Sequence, residues 1–249
     1  MPQTQLTQTR QITHLTTGWR FHRGEIDIRN FESVSGDELV AAEWLKTGNQ
    51  GVARAGYPDA DWRNVNLPHD FVIEEEFSPD ARSTHGYLPV GVGWYRKTLS
   101  LPTEDEGRRI FLEFDGVYRD CSVWLNGHFV GRHLSGYTSF SFEISDICQY
   151  GGENALAVQV DAHEQELWSY EGGGIYRDVR LVKTAPVYIP YCGTFITAMP
   201  KEETGGDPAS LAVQTDLVNS GSDPAACEIL CEAFSPGGEL AAVVRWSGS

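Results

Sequence analysis

Residues 166–178 read ELWSYEGGGIYRD: two glutamates, Trp168 and Tyr170, then three glycines in a row. Carboxylates set among aromatic rings suit a polyhydroxyl ligand. The rings stack on apolar C–H faces while the charged oxygens accept hydrogen bonds from hydroxyls. Consecutive glycines carry an entropic cost, so they mark a place where the backbone turns sharply or another group comes very close. The ligand-proximal candidates are therefore Glu166, Trp168, Tyr170 and Glu171. Tyr87, Trp94 and Tyr95 read as further aromatics in loop-like positions. Capping a sandwich end, or packing on another domain, is the plainer use of the same rings.

The common catalytic signatures are missing. No G-x-S-x-G elbow, phosphate loop or H-E-x-x-H pair occurs, and HEQEL at 163–167 supplies only the first half of the last. The triple glycine leads into a strand-like segment, so no helix N-terminus is there to receive a pyrophosphate. The acidic run IEEEF at 73–77 reads as a solvated face. Two other pairs read as structural. His69 and Asp70 follow Pro68, whose fixed φ suits a turn held by side-chain hydrogen bonds. Arg177 and Asp178 are strand neighbours and point to opposite faces, which fits structural or interdomain ion pairs better than joint contact with a ligand. No catalytic residue and no metal-ligand set is assigned.

The elements that must position these residues are strands. RIFLEF alternates Ile110, Leu112 and Phe114; SFSFEIS alternates Phe140, Phe142 and Ile144; NALAVQV alternates Leu156, Val158 and Val160. Asn126-Gly127 between two apolar arms predicts a two-residue hairpin. Helical periodicity is confined to a turn or two at 36–46 and a single turn near 58–65. The fold class is all-β: a jelly-roll sandwich over residues 1–184, then an incomplete immunoglobulin-like β-sandwich over 185–249.

A length of 249 residues with 41% hydrophobic composition supports a folded core, and the formal net charge of −16 opposes docking on nucleic acid or anionic membranes. No apolar run reaches the roughly 18–20 residues needed to span a bilayer. The polar N-terminus has no apolar signal region, so a cytoplasmic setting is expected, with periplasmic or secreted settings left open. Five cysteines are scattered, and Cys227 and Cys231, four apart in a strand, would lie about 13 Å from one another, too far to bridge.

Six segments occur in order: WRNVNLPHDF (62–71), GYLPVGVGWYRKTLSLP (86–102), RIFLEFDGVYRDCSVWLNGHFVG (109–131), GYTSFSFEIS (136–145), GENALAVQVD (152–161) and GGGIYRDVRL (172–181). Together they resemble the N-terminal sugar-binding domain of glycoside hydrolase family 2, the β-galactosidase, β-glucuronidase and β-mannosidase group. The resemblance implies a carbohydrate partner and a retaining hydrolysis by two glutamates on a (β/α)₈ barrel. That barrel is the chain's other implied partner, and this sequence contains none of it. Alone, the chain is expected to be inactive, as the non-catalytic portion of a glycosidase, with β-galactosidase as the favoured activity. In the large bacterial β-galactosidases an acidic residue two positions before the Trp reaches substrate and a sodium ion. That position is Glu166 here, and Glu171 is the other carboxylate that could take the role. No cofactor is expected in this chain, whereas the full-length enzyme could use sodium or magnesium and could form a homo-oligomer. The alternative is a free-standing carbohydrate-binding module or lectin-like protein.

Overall fold

The computed structural model describes residues 10–26, 51–164, 171–200 and 210–248. The chain groups into two compact units, Met1–Lys183 and Thr184–Ser249. Among the described residues the regular elements are strands and single-turn 3-10 segments, so the fold is all-β. No helix among them is long and apolar enough to cross a membrane.

The described residues of the first unit carry ten strands: β1 (Arg10–His14), β2 (Trp19–Arg23), β3 (Arg63–Val65), β4 (Val92–Leu101), β5 (Arg109–Phe114), β6 (Cys121–Leu125), β7 (His128–His133), β8 (Phe140–Glu143), β9 (Gly152–Asp161) and β10 (Val179–Thr184). They form a six-stranded sheet ordered β3-β2-β4-β9-β6-β7 and a four-stranded sheet ordered β1-β10-β5-β8. Side chains alternate across a strand, so each strand gives one set of residues to the core. Ile110, Leu112 and Phe114 of β5 share one apolar cluster with Tyr95 and Leu99 of β4, Val158 of β9 and Val123 of β6. That cluster is the layer between the sheets.

The hairpin joining β6 and β7 turns at Asn126 and Gly127, which have φ of +53° and +84°. Both angles lie where Asn and Gly are best tolerated. The Asn126 side chain also serves β9: its oxygen accepts from the Ala155 N–H at 2.9 Å and its NH₂ donates to Asn154 Oδ1 at 2.8 Å.

A second, smaller core covers the outer face of the six-stranded sheet, where Val92, Trp94, Trp124 and Ala157 pack with Val52, Ala53 and Trp62. Arg96 of β4 holds this cover down. Its guanidinium donates to Asp59 at 2.7 Å, to the Arg54 carbonyl at 2.9 Å and to the Val52 carbonyl. Trp94 and Tyr95 are thus not loop aromatics: they are buried neighbours in β4, one in each core. Both faces of that strand are covered, which removes the polar alternation by which a strand is usually read. Tyr87 does lie outside the strands and is exposed.

The second unit consists of antiparallel pairs. β11 (Val187–Tyr188) pairs with β14 (Val218–Asn219), β12 (Thr194–Met199) with β13 (Ser210–Thr215), and β15 (Cys227–Phe234) with β16 (Leu240–Gly248). Leu211, Val213, Ile229, Val244 and Trp246 line an open apolar groove of about 460 Å³. Among its described residues the second unit therefore leaves an apolar face open. Cys227 and Cys231 lie on the same side of β15 and both are free thiols.

Candidate functional site

The site is built around the triple glycine, whose backbone runs in a slot between two other segments. On one side the His69 N–H donates to the Ile175 carbonyl at 2.9 Å, and the Phe71 N–H to the Gly173 carbonyl at 2.8 Å. On the other side Tyr118 and Gly174 exchange N–H to carbonyl bonds of 2.9 and 2.6 Å. Asp70 ties the first side further, since its Oδ1 accepts from the N–H groups of Val72 and Gly173, each at 2.9 Å.

No side chain fits in this slot. A Cβ at Gly172 would overlap Asp70 Oδ2, and one at Gly173 would lie 2.7 Å from Val72 and 3.0 Å from Ala162. A Cβ at Gly174 would come within 2.5 Å of both the His69 carbonyl and the Tyr95 hydroxyl, at a φ of +135°. Close approach, more than turning, is what the three glycines provide.

Beneath the slot, His69 Nδ1 lies 2.7 Å from the Tyr95 hydroxyl and Nε2 lies 2.9 Å from an Arg63 nitrogen. A guanidinium can only donate, so Nε2 accepts and the proton sits on Nδ1, directed at Tyr95. Glu74 Oε1 stands 3.4 Å from the same Nε2. Burial is the largest influence on His69 and lowers its pKa, against the opposing pull of Glu74. Burial likewise raises the Tyr95 phenol well above its ordinary range. The pair is neutral at physiological pH and serves as a hydrogen-bonded prop for Gly174.

Glu171 precedes the slot and is only 5% exposed. The Tyr118 hydroxyl donates to its Oε2, and the Tyr137 hydroxyl to its Oε1 at 3.2 Å. A buried carboxylate needs such donors on both oxygens. His85, also buried, is within electrostatic reach of this carboxylate. Its pKa is lowered, first by burial and then by Arg82, with Glu171 acting in the opposite direction.

Of the residues singled out from sequence, the structure brings Asp70, His69 and Glu171 to the two sides and the entrance of one slot. Glu166, Trp168 and Tyr170 lie outside the described residues. Arg177 is exposed with its stem beside Gly116, and Asp178 lies 3.5 Å from His14 Nδ1, so the two serve different neighbours. The stronger ion pairing belongs to Arg180, which engages both carboxylate oxygens of Asp115 and lies 3.5 Å from Glu113. Sequence reasoning missed Tyr118 and Tyr137 as well. Their only local signal is a tyrosine at or near a glycine between two strands, in GVYRD and SGYTS.

Among the described residues no three His, Cys, Asp or Glu side chains converge as a metal site. Glu171 accepts from two phenols, and Asp70 Oδ1 from two amides. The chemistry available here is recognition through hydroxyls, amides and rings.

Residues 56–185 match the family model described as glycosyl hydrolases family 2, sugar binding domain. The β-galactosidase BoGH2A of Bacteroides ovatus is 38% identical over 218 residues, which are 86% of this chain and 22% of that protein. A β-glucuronidase of Bacteroides fragilis is 32% identical over 66% of this chain and 24% of its own length. The crystal structure of a β-glycosidase from Bacteroides vulgatus superposes with a TM-score of 0.77 at 27% identity, over 96% of this chain and 28% of that one. This chain therefore spans under a quarter of the length of either of these two curated relatives.

Proposed function

The chain belongs to glycoside hydrolase family 2, and on that premise we propose that it forms one wall of the active site of a longer retaining glycosidase. In this reading the two catalytic glutamates stand on a (β/α)₈ barrel outside this sequence, about 5 Å apart as retention requires. The 249 residues bind and orient the sugar but do not cleave it. β-Galactosidase is our reading of the activity, supported by the higher identity to BoGH2A than to the B. fragilis β-glucuronidase.

The observation that carries the proposal is the glycine slot. It gathers Asp70, Glu171 and the Tyr137 hydroxyl at one end of the sandwich, each held by hydrogen bonds before any ligand arrives. Groups fixed in advance lose little freedom when a substrate docks, and that is what a non-catalytic wall can add to a rate. The test is hydrolysis of aryl β-galactoside and aryl β-glucuronide by this chain alone and by the full-length enzyme. We expect turnover only from the latter, with the galactoside preferred, and Asp70→Ala there raising KM. Turnover by the isolated chain, or full-length kinetics indifferent to Asp70, would reject the reading.

A further inference from the structure

We propose that the exposed ring of Tyr137 is a stacking platform for a pyranose, held in place by Glu171. The inference rests on the site reading above and deepens it by naming the residue and the mode of contact. Tyr137 is 49% exposed, yet its side chain is tethered at two points. Its hydroxyl donates to the buried Glu171 at 3.2 Å, and it packs T-shaped with the Tyr118 ring at a centroid distance of 5.7 Å and an angle of 68°.

The loop beneath is pinned too. A Cβ at Gly136 would overlap the Tyr118 ring, and the Gly136 carbonyl accepts from the Tyr176 hydroxyl at 2.7 Å. His133 Nε2 lies 2.9 Å from Thr138 Oγ1, joining the two arms of the loop. Exposed side chains ordinarily keep rotamer freedom and lose it on binding; this ring has already lost it.

The ligand class follows from charge and shape. A chain of net charge −16, with a carboxylate at the tip of the ring, disfavours anions. A flat aromatic face with a hydroxyl–carboxylate pair at its tip matches the C–H face of a pyranose flanked by hydroxyls. Tyr137 also falls within the segment that matches a sugar-binding family model.

The test is an NMR titration of this chain with methyl β-galactopyranoside, and with glycerol as a polyol control. We expect the Tyr137 ring signals to shift saturably with the galactoside and not with glycerol. Tyr137→Leu should weaken binding about tenfold. Tyr137→Phe and Glu171→Gln, which keep the ring but loosen its anchor, should fall between. Because the ring is half-exposed, core methyl signals of Leu112 and Val158 should persist in each variant and report that it is folded. Shifts at the Gly172–Gly174 amides with Tyr137 silent would overturn the platform and leave the slot reading standing. Shifts at Tyr137 with silent glycine amides would support the platform and count against the slot. An equal response to glycerol, or no response anywhere, overturns the platform.

Discussion

Tyr118 holds the Gly172–Gly174 segment at two points. Its peptide exchanges hydrogen bonds of 2.9 and 2.6 Å with Gly174, while its hydroxyl donates to the carboxylate of Glu171. The extended glycine backbone is thus fixed at its start by a side chain and at its end by main chain. With His69, Asp70 and Phe71 on the opposite side, the segment has no direction in which to relax. Four outcomes follow from that tightness and from the packing around it.

Gly174→Ala should destabilise the first unit by about 3 kcal/mol, because the new methyl meets a carbonyl and a hydroxyl at a left-handed φ. Gly56→Ala, with nothing within 4 Å, should be neutral. Urea unfolding of both variants checks this, and equal midpoints would contradict the slot.

Asp70→Ala should cost about 2 kcal/mol, since two amides lose their acceptor and Gly173 is buried. Asp70→Asn keeps an acceptor oxygen and should lose less than half as much. Amide exchange at Gly173 should quicken in the alanine variant and barely change in the asparagine one.

Stability should fall as the solution is acidified. His69 and His85 both have folded-state pKa values below the ordinary 6.5, so the unfolded chain takes up protons first. The stabilisation is complete above about pH 6.5 and declines as pH drops toward the folded-state values. Urea midpoints at about pH 7.5 and 5.5 should differ, and His85→Gln should shrink the difference. A midpoint that rose on acidification would show that the sign is wrong.

Arg96→Met should cost about 2–3 kcal/mol, because the Val52 carbonyl is left buried without its donor and Asp59 loses its counter-ion. Limited proteolysis should find new cleavage between residues 51 and 62. Uniform loss of the whole fold, with no local opening, would mean that Arg96 does not act as a clasp for that segment.

Much of the sandwich is visible in the sequence because most of its inner strands have one face toward the core. Ile110, Leu112 and Phe114 of β5, Leu156, Val158 and Val160 of β9, and the Asn126-Gly127 turn between β6 and β7 are local signals that survive in the structure. Trp94 and Tyr95 were illegible for the opposite reason: β4 is covered on both faces, by the inter-sheet core on one and on the other by residues such as Val52, 42 positions before Trp94. The site was legible as a place but not as an arrangement. Three glycines announce a close approach, yet the group that approaches Gly173 is Asp70, 103 residues away. Glu171 looks like a surface carboxylate in sequence. Its partners Tyr118 and Tyr137 are 53 and 34 residues distant, and only the folded sandwich brings them to it.

A segment seated largely by its main chain also has a use in protein engineering. Gly172–Gly174 is located by backbone hydrogen bonds, by the Asp70 carboxylate and by the absence of side chains, through partners at 69–71 and 118. Exchange of the upstream residues for those of another sequence should therefore leave Glu171 in place, since Tyr118 and Tyr137 hold it from elsewhere in the fold. The slot is in effect a socket, and it makes this end of the domain the natural place to graft new specificity onto an unchanged scaffold.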